Sequence, residues 1–250
     1  MLGLILVSLT TFFIFVYITV FYLPIIAMKD EHEGILLARK QLKFLSRLIL
    51  RSLGVKLRVI YKDRKSVNEL DRKKGIIYVC NHQSNFDIPA IITALHMDVG
   101  FVAKQEMKSW PFFNLWMKKS RCVFLDRSNP RAGIKSIQES VALIKKGYPI
   151  VIFPEGERSL TGEIGVFKKG SFKLATETNG VIVPITLKGT YNIQRRGRWV
   201  MKRNQKVTVV IDKPVHVDRL SREEIKNLSV TIRQTIIAVS YTHLRAHETL

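Results

Sequence analysis

The first 28 residues carry no charged side chain, and this feature constrains the fold more than any other. A helix rises about 1.5 Å per residue, so this segment exceeds the roughly 30 Å hydrocarbon core of a bilayer. A cleaved signal peptide would begin with basic residues, carry a shorter apolar run and end in a small-residue cleavage site, and this segment has none of these. We therefore predict a membrane anchor over residues 1–28.

The end of this segment indicates how it lies in the membrane. Pro24 lacks an N–H and clashes with the preceding turn, so we expect it to kink or end the helix, which leaves a re-entrant hairpin as an alternative to a spanning helix. An excess of basic residues marks the cytoplasmic side of a membrane segment, and those that follow are Lys29, Arg39, Lys40 and Lys43. We expect the rest of the chain on the cytoplasmic face, which in a bacterium is that of the inner membrane.

Residues 29–54 continue as a basic amphipathic helix. Its basic residues recur every four positions, at Arg39, Lys43, Arg47 and Arg51. Its apolar residues lie on another face, at Leu42, Leu45, Ile49 and Leu53. This face either packs on its own domain in water or lies on anionic lipid, where each basic residue contributes about 1 kcal/mol. The adjacent anchor favours the lipid surface.

The whole chain has 41 Lys and Arg against 20 Asp and Glu, a net charge of +21, which predicts an anionic partner. Segment 188–206 holds seven basic residues and no acidic one, and Tyr191 and Trp199 within it can stack on bases. A nucleic-acid-binding protein is thus an alternative. The other interpretations of this segment are that it meets anionic lipid or CoA phosphates, or that it is only a solvated loop. However, the anchor has no role in a nucleic-acid-binding protein, and no recognised nucleic-acid module is present. We predict membrane lipids as partners and no nucleic acid.

Short β-branched runs alternate with helical segments over residues 55–240. The strand-like runs are Val55–Tyr61, Ile76–Cys80, Gly100–Ala103, Cys122–Leu125, Ile150–Phe153, Val181–Leu187 and Lys206–Ile211. The helical segments are Ile88–His96, Pro111–Lys119, Arg131–Lys146, Ser171–Thr178 and Ser221–Val239. This alternation predicts an α/β domain with a mostly parallel or mixed sheet flanked by helices. The last ten residues, 241–250, break the helical pattern and resemble a translated sequencing adapter, so we interpret them as a non-native tail.

Polar residues follow the strand at Ile76–Cys80, at the edge where open α/β sheets bind ligands. Ser84 or Asn85 is expected to cap the next helix. His82 then lies on a tight turn, with Asp87 in the first helical turn. A carboxylate so placed can fix the imidazole tautomer and leave the other ring nitrogen free as a base.

Other strand ends carry candidate binding residues. The strand Ile150–Phe153 is followed by Glu155, by Gly156, which allows close backbone approach, and by Arg158, whose planar fork suits phosphate. Lys104 and Arg127 follow two further strands. Each residue alone is typical of an ordinary charged turn. Their shared placement after successive strands predicts one substrate-binding rim.

Other cofactor and metal chemistry is not indicated. Cys80 and Cys122 fall in predicted core strands without a C-x-x-C pair, as expected of core residues in a reducing compartment. His82 and Asp87 lack a third ligand nearby in sequence, so we predict no metal. No G-x-S-x-G elbow or G-x-G-x-x-G fingerprint is present, so neither an acyl-serine hydrolase nor a nucleotide cofactor is expected.

Four sequence blocks together resemble those of a known family. NHQSNFD resembles the N-H-x(4)-D block of glycerolipid acyltransferases, FLDR their second block and FPEGERS their F-P-E-G-T-R-S block, and Val183-Pro184-Ile185 resembles their fourth. Their order from residue 81 to 185, with an N-terminal membrane helix, is similar to that of the PlsC-like 1-acyl-sn-glycerol-3-phosphate acyltransferases. Four ordered blocks are far more specific than any one.

This resemblance implies transfer of a fatty acyl group from acyl-CoA or acyl carrier protein to the sn-2 hydroxyl of lysophosphatidic acid, with no other cofactor. His82 would be the general base and Asp87 would orient it. The acceptor-phosphate site would be shaped by Lys104, Arg127, Glu155, Gly156 and Arg158. A catalytically inactive membrane scaffold of the same fold is an alternative, against which the intact His82 and Asp87 argue.

Two positions depart from the family blocks. Glu157 replaces the usual Thr and brings a negative charge to the expected phosphate site, and Arg121 stands where Gly is common. The reaction type is unaffected. The acceptor headgroup stays open, with another lysophospholipid or an amino-acid lipid as alternatives.

Overall fold

The computed structural model describes residues 2–96, 98–126, 130–198 and 200–245, and describes 2–8, 130 and 242–245 by their backbone alone. The strands are β1 (Lys56–Tyr61), β2 (Ile76–Cys80), β3 (Gly100–Lys104), β4 (Val123–Leu125), β5 (Ile150–Ile152), β6 (Val181–Lys188), β7 (Lys206–Ile211) and β8 (Val215–His216). The helices are α1 (Leu2–Met28), α2 (Glu31–Ser52), α3 (Arg64–Asn68), α4 (Asp87–Ala94), α5 (Phe113–Lys119), α6 (Pro130–Lys145), α7 (Lys173–Thr178), α8 (Thr190–Ile193) and α9 (Arg222–Arg245). Short 3₁₀ turns lie at Arg72–Lys74, Gln105–Ser109, Lys169–Phe172 and Val217–Arg219.

Within the described residues, eight strands form one sheet in the order β1-β7-β6-β2-β5-β3-β4, with β8 paired to β6. The pairs β1 with β7, β2 with β5 and β6, and β3 with β4 and β5 are parallel. β6 runs antiparallel to β7 and β8. The predicted mixed α/β sheet is confirmed. Because β2, β5, β3 and β4 are parallel, the residues that follow them meet at one edge of the sheet.

The central strand β2 is buried on both faces. Ile76, Tyr78 and Cys80 pack into a core with residues of α2 and α4, and Ile77 and Val79 pack into a second core with residues of α6, α7 and α9. This alternation follows from the two-residue period of a strand, and helices on both faces explain why all five residues are apolar or neutral. The residues after β2 are therefore held by two packed layers.

The apolar N-terminal segment forms one long helix, α1. It contains Pro24 and continues to Met28, so Pro24 does not end the helix, and the alternative that it kinks the helix stays a prediction. Pro24 is the fifth residue from the end of α1, and its missing N–H removes the one backbone hydrogen bond that it would otherwise donate. Over Leu9–Met28 the helix is long and apolar enough to cross a membrane, and only 17% of this window is buried in the protein.

Helix α1 is docked on the α/β domain. It packs against α2, and Trp116 of α5 donates its indole N–H to Thr19 Oγ1 at 2.9 Å. The rings of Phe15 and Phe113 stack with centroids 4.9 Å apart. Exposed aromatic and aliphatic side chains continue from α1 onto α5 and the turn before it, at Trp110, Phe112, Phe113 and Leu115.

Helix α2 does not carry one basic face. Arg39 is buried, and its guanidinium donates to the carbonyl oxygens of Ser120 and Asp98. Lys43 donates to the carbonyl oxygen of Leu95 at 2.7 Å. Burial lowers the pKa of both groups. The prediction of four residues facing lipid is therefore wrong for Arg39 and Lys43, and the outward basic residues of α2 are Lys40, Arg47 and Arg51.

The other predicted elements match the structure within two residues at each end, except at the C-terminal end of α9. The short elements α3, α8 and β8 were not predicted, since four- or five-residue helices and a two-residue strand have no clear periodicity. Helix α9 was expected to end at Val239 but continues to Arg245, so residues 241–245 are helical and not a break in the pattern. Residues 246–250 of the proposed tail lie outside the described residues.

Candidate active site

The turn after β2 is organised by the Asp87 carboxylate, which is fully buried at the start of α4. Its Oδ2 atom lies 2.7 Å from His82 Nδ1 and accepts backbone N–H bonds from Gln83 at 2.6 Å and Ser84 at 2.9 Å. The expected pairing of His82 with Asp87 is present. One carboxylate oxygen therefore both shapes the turn and orients the imidazole.

The predicted cap of α4 is wrong. The N-cap residue is Phe86, without a side-chain cap bond. Ser84 instead donates its hydroxyl to the carbonyl oxygen of Gln194 at 2.8 Å, and Asn85 donates its side-chain amide to Gln194 Oε1 at 3.1 Å. The turn uses these polar groups to hold a distant segment.

The imidazole of His82 lies between this carboxylate and an aromatic wall. Its ring stacks on Phe153, with centroids 4.1 Å apart and planes 20° apart. The His82 side chain is 18% exposed. Because Nδ1–H donates to Asp87, the lone pair on Nε2 is free, and no described residue donates a hydrogen bond to it. Nε2 is thus available to accept a proton from a substrate.

Glu155 supports the turn that carries His82 through backbone hydrogen bonds. Its Oε1 atom accepts the backbone N–H of His82 at 2.7 Å, and its Oε2 atom accepts that of Gly165 at 2.9 Å. Burial raises the pKa of the Glu155 carboxyl, and these two hydrogen bonds oppose the rise. Glu155 is buried and does not line the cavity described next. It braces the turn after β2 against the turn after β5.

A cavity of about 1160 Å³ opens beside His82. Its walls are mostly apolar and come from α2, α4, β3 and α5, as at Leu45, Ile92, Phe101 and Trp116. Small-molecule sites span roughly 300–1,000 Å³, so this cavity is slightly larger than most of them. Charged and polar side chains line it where the strand ends meet, among them His82, Lys104, Glu106, Asp126, Glu157, Arg158, Lys168 and Arg196.

The structure brings three of the predicted binding residues to this cavity. Lys104 is exposed at the end of β3, and Arg158 is half-buried. Gly156 has φ of +83°, which glycine adopts without strain and which turns its backbone toward the cavity rim. Arg127 lies outside the described residues. Val183, Pro184 and Ile185 of the fourth block are core residues of β6 and do not line the cavity.

Sequence reasoning placed residues 194–196 in the basic segment 188–206 but assigned none of them as a site residue. Arg196 pairs with Glu157 at 2.8 Å and also donates to the carbonyl oxygen of Arg158 at 3.1 Å. Together with the bonds from Ser84 and Asn85 to Gln194, this segment ties two of the sequence blocks together. The unexpected acid Glu157 was the one available signal, because an acid at a phosphate site calls for a cation.

The other departure, Arg121, is a matter of backbone geometry. Its φ is +59°, the left-handed region where glycine is at ease, and this explains why Gly is common at that position. The Arg121 side chain forms an ion pair with Glu31. The chemistry beside His82 is not affected.

Cysteine and metal chemistry gain no support from the geometry. Burial raises the pKa of both the Cys80 and Cys122 thiols, so both stay protonated. In the described part of the chain, no group of three or more His, Cys, Asp and Glu side chains is placed to hold a metal ion.

The fold and site define an enzyme-like α/β domain with a His–Asp pair on a large apolar cavity. Comparison with known proteins shows the family to which the domain belongs. A family model described as Acyltransferase matches residues 58–188, more than half of the chain. The chain belongs to the acyltransferase family, as the four sequence blocks implied.

The similar proteins described next share the name 1-acyl-sn-glycerol-3-phosphate acyltransferase. A chloroplastic 1-acyl-sn-glycerol-3-phosphate acyltransferase of Arabidopsis thaliana is 37% identical over 140 residues, 56% of this chain and 39% of that protein. A probable 1-acyl-sn-glycerol-3-phosphate acyltransferase of Mycoplasma genitalium is 34% identical over 68% of this chain and 67% of its own length. The chain spans about two fifths to half the length of the plant relatives.

A solved structure is similar over nearly the whole chain. The crystal structure of the 1-acyl-sn-glycerophosphate (LPA) acyltransferase PlsC from Thermotoga maritima superposes with a TM-score of 0.76 at 26% identity. The match covers 98% of this chain and 96% of the other, so it includes the helices that precede the sheet.

Proposed function

We propose that this protein transfers a fatty acyl group from a thioester donor, acyl-CoA or acyl carrier protein, to the sn-2 hydroxyl of lysophosphatidic acid, giving phosphatidic acid. One observation carries the proposal: His82 Nδ1 lies 2.7 Å from Asp87 Oδ2 at the polar end of a large apolar cavity. The similarity to known and probable 1-acyl-sn-glycerol-3-phosphate acyltransferases supports this acceptor.

In the proposed reaction His82 is the general base. The acceptor hydroxyl gives its proton to Nε2 as its oxygen attacks the thioester carbonyl carbon. The carbon–sulfur bond then breaks, and the thiolate leaves with the proton returned from Nε2. Asp87 stabilises the imidazolium that forms in between. General-base catalysis of this kind contributes about 10²–10⁴-fold, and holding the two substrates together supplies the rest. No covalent enzyme intermediate and no further cofactor is needed.

The substrate phosphate would bind at the polar rim. Arg158 and Lys104 line the cavity there, and both carry a positive charge suited to a phosphate monoester. The apolar walls would receive an acyl chain, because burying each methylene contributes about 0.8 kcal/mol. The cavity thus offers matching chemistry to both ends of a lysophospholipid.

The proposed setting is a membrane surface, with the α/β domain on its cytoplasmic side. The exposed apolar face of α1 and the exposed aromatic residues next to α5 support membrane binding. Trp side chains such as Trp110 favour the membrane–water interface. Extraction of the membrane fraction with alkaline carbonate tests this, and release of the protein into the supernatant would contradict it.

Nucleic-acid binding is a distant alternative that the geometry does not favour. The basic segment 188–206 makes contacts with the site through Gln194 and Arg196, and Arg195 lies over the Tyr191 ring at 5.2 Å, which leaves Tyr191 less free to stack on a base. Trp199 lies outside the described residues. A different lysolipid acceptor remains the nearer alternative.

The test compares membranes that contain the wild-type protein, His82→Ala, or the matched control His96→Ala. His96 is exposed and does not line the cavity. We expect phosphatidate to form from lysophosphatidate and acyl-CoA with the wild type and with His96→Ala, and to be lost with His82→Ala at equal protein level. Activity retained in His82→Ala would refute the mechanism. A wild-type protein that acylates only another lysolipid would refute the acceptor, and lipid mass spectrometry identifies the product.

A further inference from the structure

We propose that Arg196, from the loop after α8, is a substrate-binding residue that contacts a substrate phosphate, either that of the acceptor or those of CoA. The inference deepens the function proposed above and rests on it. Arg196 lies in the basic segment 188–206 but differs from its neighbour Arg195. Arg196 is half-buried and lines the cavity beside His82 and Arg158, whereas Arg195 is exposed and does not.

The contacts of Arg196 fix its position at the cavity rim. Nη1 donates to the carbonyl oxygen of Arg158 at 3.1 Å, and Nη2 lies 2.8 Å from Glu157 Oε2. A guanidinium has five N–H donors in a rigid plane, and these two contacts use only two of them within the described part of the chain. The other three donors have no partner among the described residues, and the side chain that carries them lines the cavity. The two contacts hold the plane in place, which reduces the entropy lost when an anion binds.

The charge balance at the rim requires a cation at this place. Glu157 is negative and mostly exposed beside Arg158, where it would repel a phosphate. Arg196 cancels that charge and brings its own donors. With it, five basic and four acidic side chains line the cavity within the described residues, a net charge of +1. The family's usual Thr needs no such partner. The departure from the family pattern at Glu157 is thus paired with a basic residue, Arg196.

If Arg196 served only as a counter-charge to Glu157, the variants would behave differently. A double-mutant cycle therefore separates phosphate binding from charge compensation. Steady-state rates are measured for wild type, Arg196→Ala, Glu157→Thr and Arg196→Ala/Glu157→Thr, with Arg195→Ala as the control for loss of one surface charge. Charge-assisted hydrogen bonds lost in Arg196→Ala should raise KM about 10- to 100-fold with little change in kcat. Glu157→Thr should leave KM equal or lower. The KM of the double variant should stay at least about tenfold above the KM of Glu157→Thr. Equality of the double variant with Glu157→Thr, or an Arg196→Ala KM like that of Arg195→Ala, would overturn the proposal.

Substrate choice identifies which phosphate is bound and excludes a merely structural effect. Monoacylglycerol lacks the acceptor phosphate, and an S-acyl-N-acetylcysteamine donor lacks those of CoA. If the defect of Arg196→Ala disappears with monoacylglycerol, Arg196 binds the acceptor phosphate. If it disappears with the truncated donor, Arg196 binds CoA. A defect that persists with both substrates replaced would overturn phosphate binding.

A binding measurement keeps this test separate from the proposed function. Trp110 and Trp116 line the cavity, so their fluorescence can report lysophosphatidate and monoacylglycerol binding in detergent micelles without turnover. The wild type should prefer lysophosphatidate, and Arg196→Ala should lose most of that preference. This result can hold even if the wild type transfers no acyl group. If both proteins bind the two lipids alike, the proposal fails, whether or not the enzyme is active.

Discussion

Asp87→Asn tests the His82–Asp87 pair most sharply, because it removes charge while keeping shape. Asp87 Oδ2 accepts from three donors, and Oδ1 is buried without a partner among the described residues. An asparagine can place its carbonyl oxygen at the Oδ2 position and its NH₂ group at the Oδ1 position. All three donors then keep an acceptor, and the turn should be retained.

The expected loss of stability is modest. Hydrogen bonds to a charged group contribute about 1.5–3 kcal/mol and neutral ones about 0.5–1.5 kcal/mol, so three weakened bonds cost roughly 3 kcal/mol. Burying a neutral amide in place of an ion offsets part of this, but the NH₂ group at the Oδ1 position is buried without a partner, which leaves about 2–4 kcal/mol. Asp87→Ala leaves the N–H groups of Gln83 and Ser84 without this acceptor, so it should cost more, about 3–5 kcal/mol.

The expected loss of activity is much larger than the loss of stability suggests. When His82 Nε2 takes a proton, the imidazolium loses the nearby carboxylate that stabilised it. We expect kcat to fall about 10²–10⁴-fold while the folded protein is retained. Residues that act as a unit are not additive, so the double variant His82→Ala/Asp87→Asn should be about as inactive as His82→Ala alone.

Initial rates of phosphatidate formation and thermal unfolding in detergent, measured on the same preparations, provide the assay. If Asp87→Asn keeps activity within about tenfold of wild type, the carboxylate charge is not needed and general-base catalysis by this pair is refuted. A double variant that falls below His82→Ala by the full Asp87→Asn factor would show that the two residues act independently.

Two further substitutions test the packing around the site. In Glu155→Gln one of the N–H groups of His82 and Gly165 faces an amide NH₂, so unfolding in detergent should show a loss of about 1–3 kcal/mol. Burial raises the pKa of the Glu155 carboxyl above its ordinary 4.5. The wild type should therefore lose stability relative to Glu155→Gln as the pH rises from 4.5 through the raised pKa. The opposite trend would refute this. Arg121→Gly relieves a left-handed φ at the expense of an exposed ion pair, so thermal unfolding should show a gain of up to about 1 kcal/mol, and a clear loss would contradict that account.

The pairing of His82 with Asp87 was predictable because it is local. Four residues separate the two, a strand ends just before the first, and a helix begins at the second. Such short-range geometry follows from turn length and helix period. The fold class was predictable for a similar reason, since alternating strand and helix patterns are properties of short windows.

The pairing of Arg196 with Glu157 was not predictable, because it depends on the order of strands in the sheet. Glu157 follows β5 and Arg196 follows β6 and α8, and they meet only because β2 lies between those two strands. Patterns in short windows do not contain this long-range order. For the same reason Glu155 looked like a rim residue, although both of its oxygens are held by backbone N–H groups.

The misplaced face of α2 has a geometric cause. Four residues turn a helix by about 400°, so a four-residue repeat drifts by about 40° at each step. From Arg39 to Arg51 the side chains therefore sweep through about 120°. Arg39 and Lys43 point into the domain, where they bind carbonyl oxygens near the ends of α5 and α4, while Arg47 and Arg51 point outward.

The docking of α1 on α5 has a mechanical consequence. A simple tether would let the α/β domain swivel and rise away from its anchor, but α1 is fixed at two points one turn apart, by Phe15 on Phe113 and by Thr19 to Trp116. With α1 in the bilayer as proposed, the height of the cavity relative to the lipid is set by where these two residues lie along the helix, in steps of about 1.5 Å per residue. The anchor thus sets the depth of the active site relative to the membrane as well as attaching the protein to it.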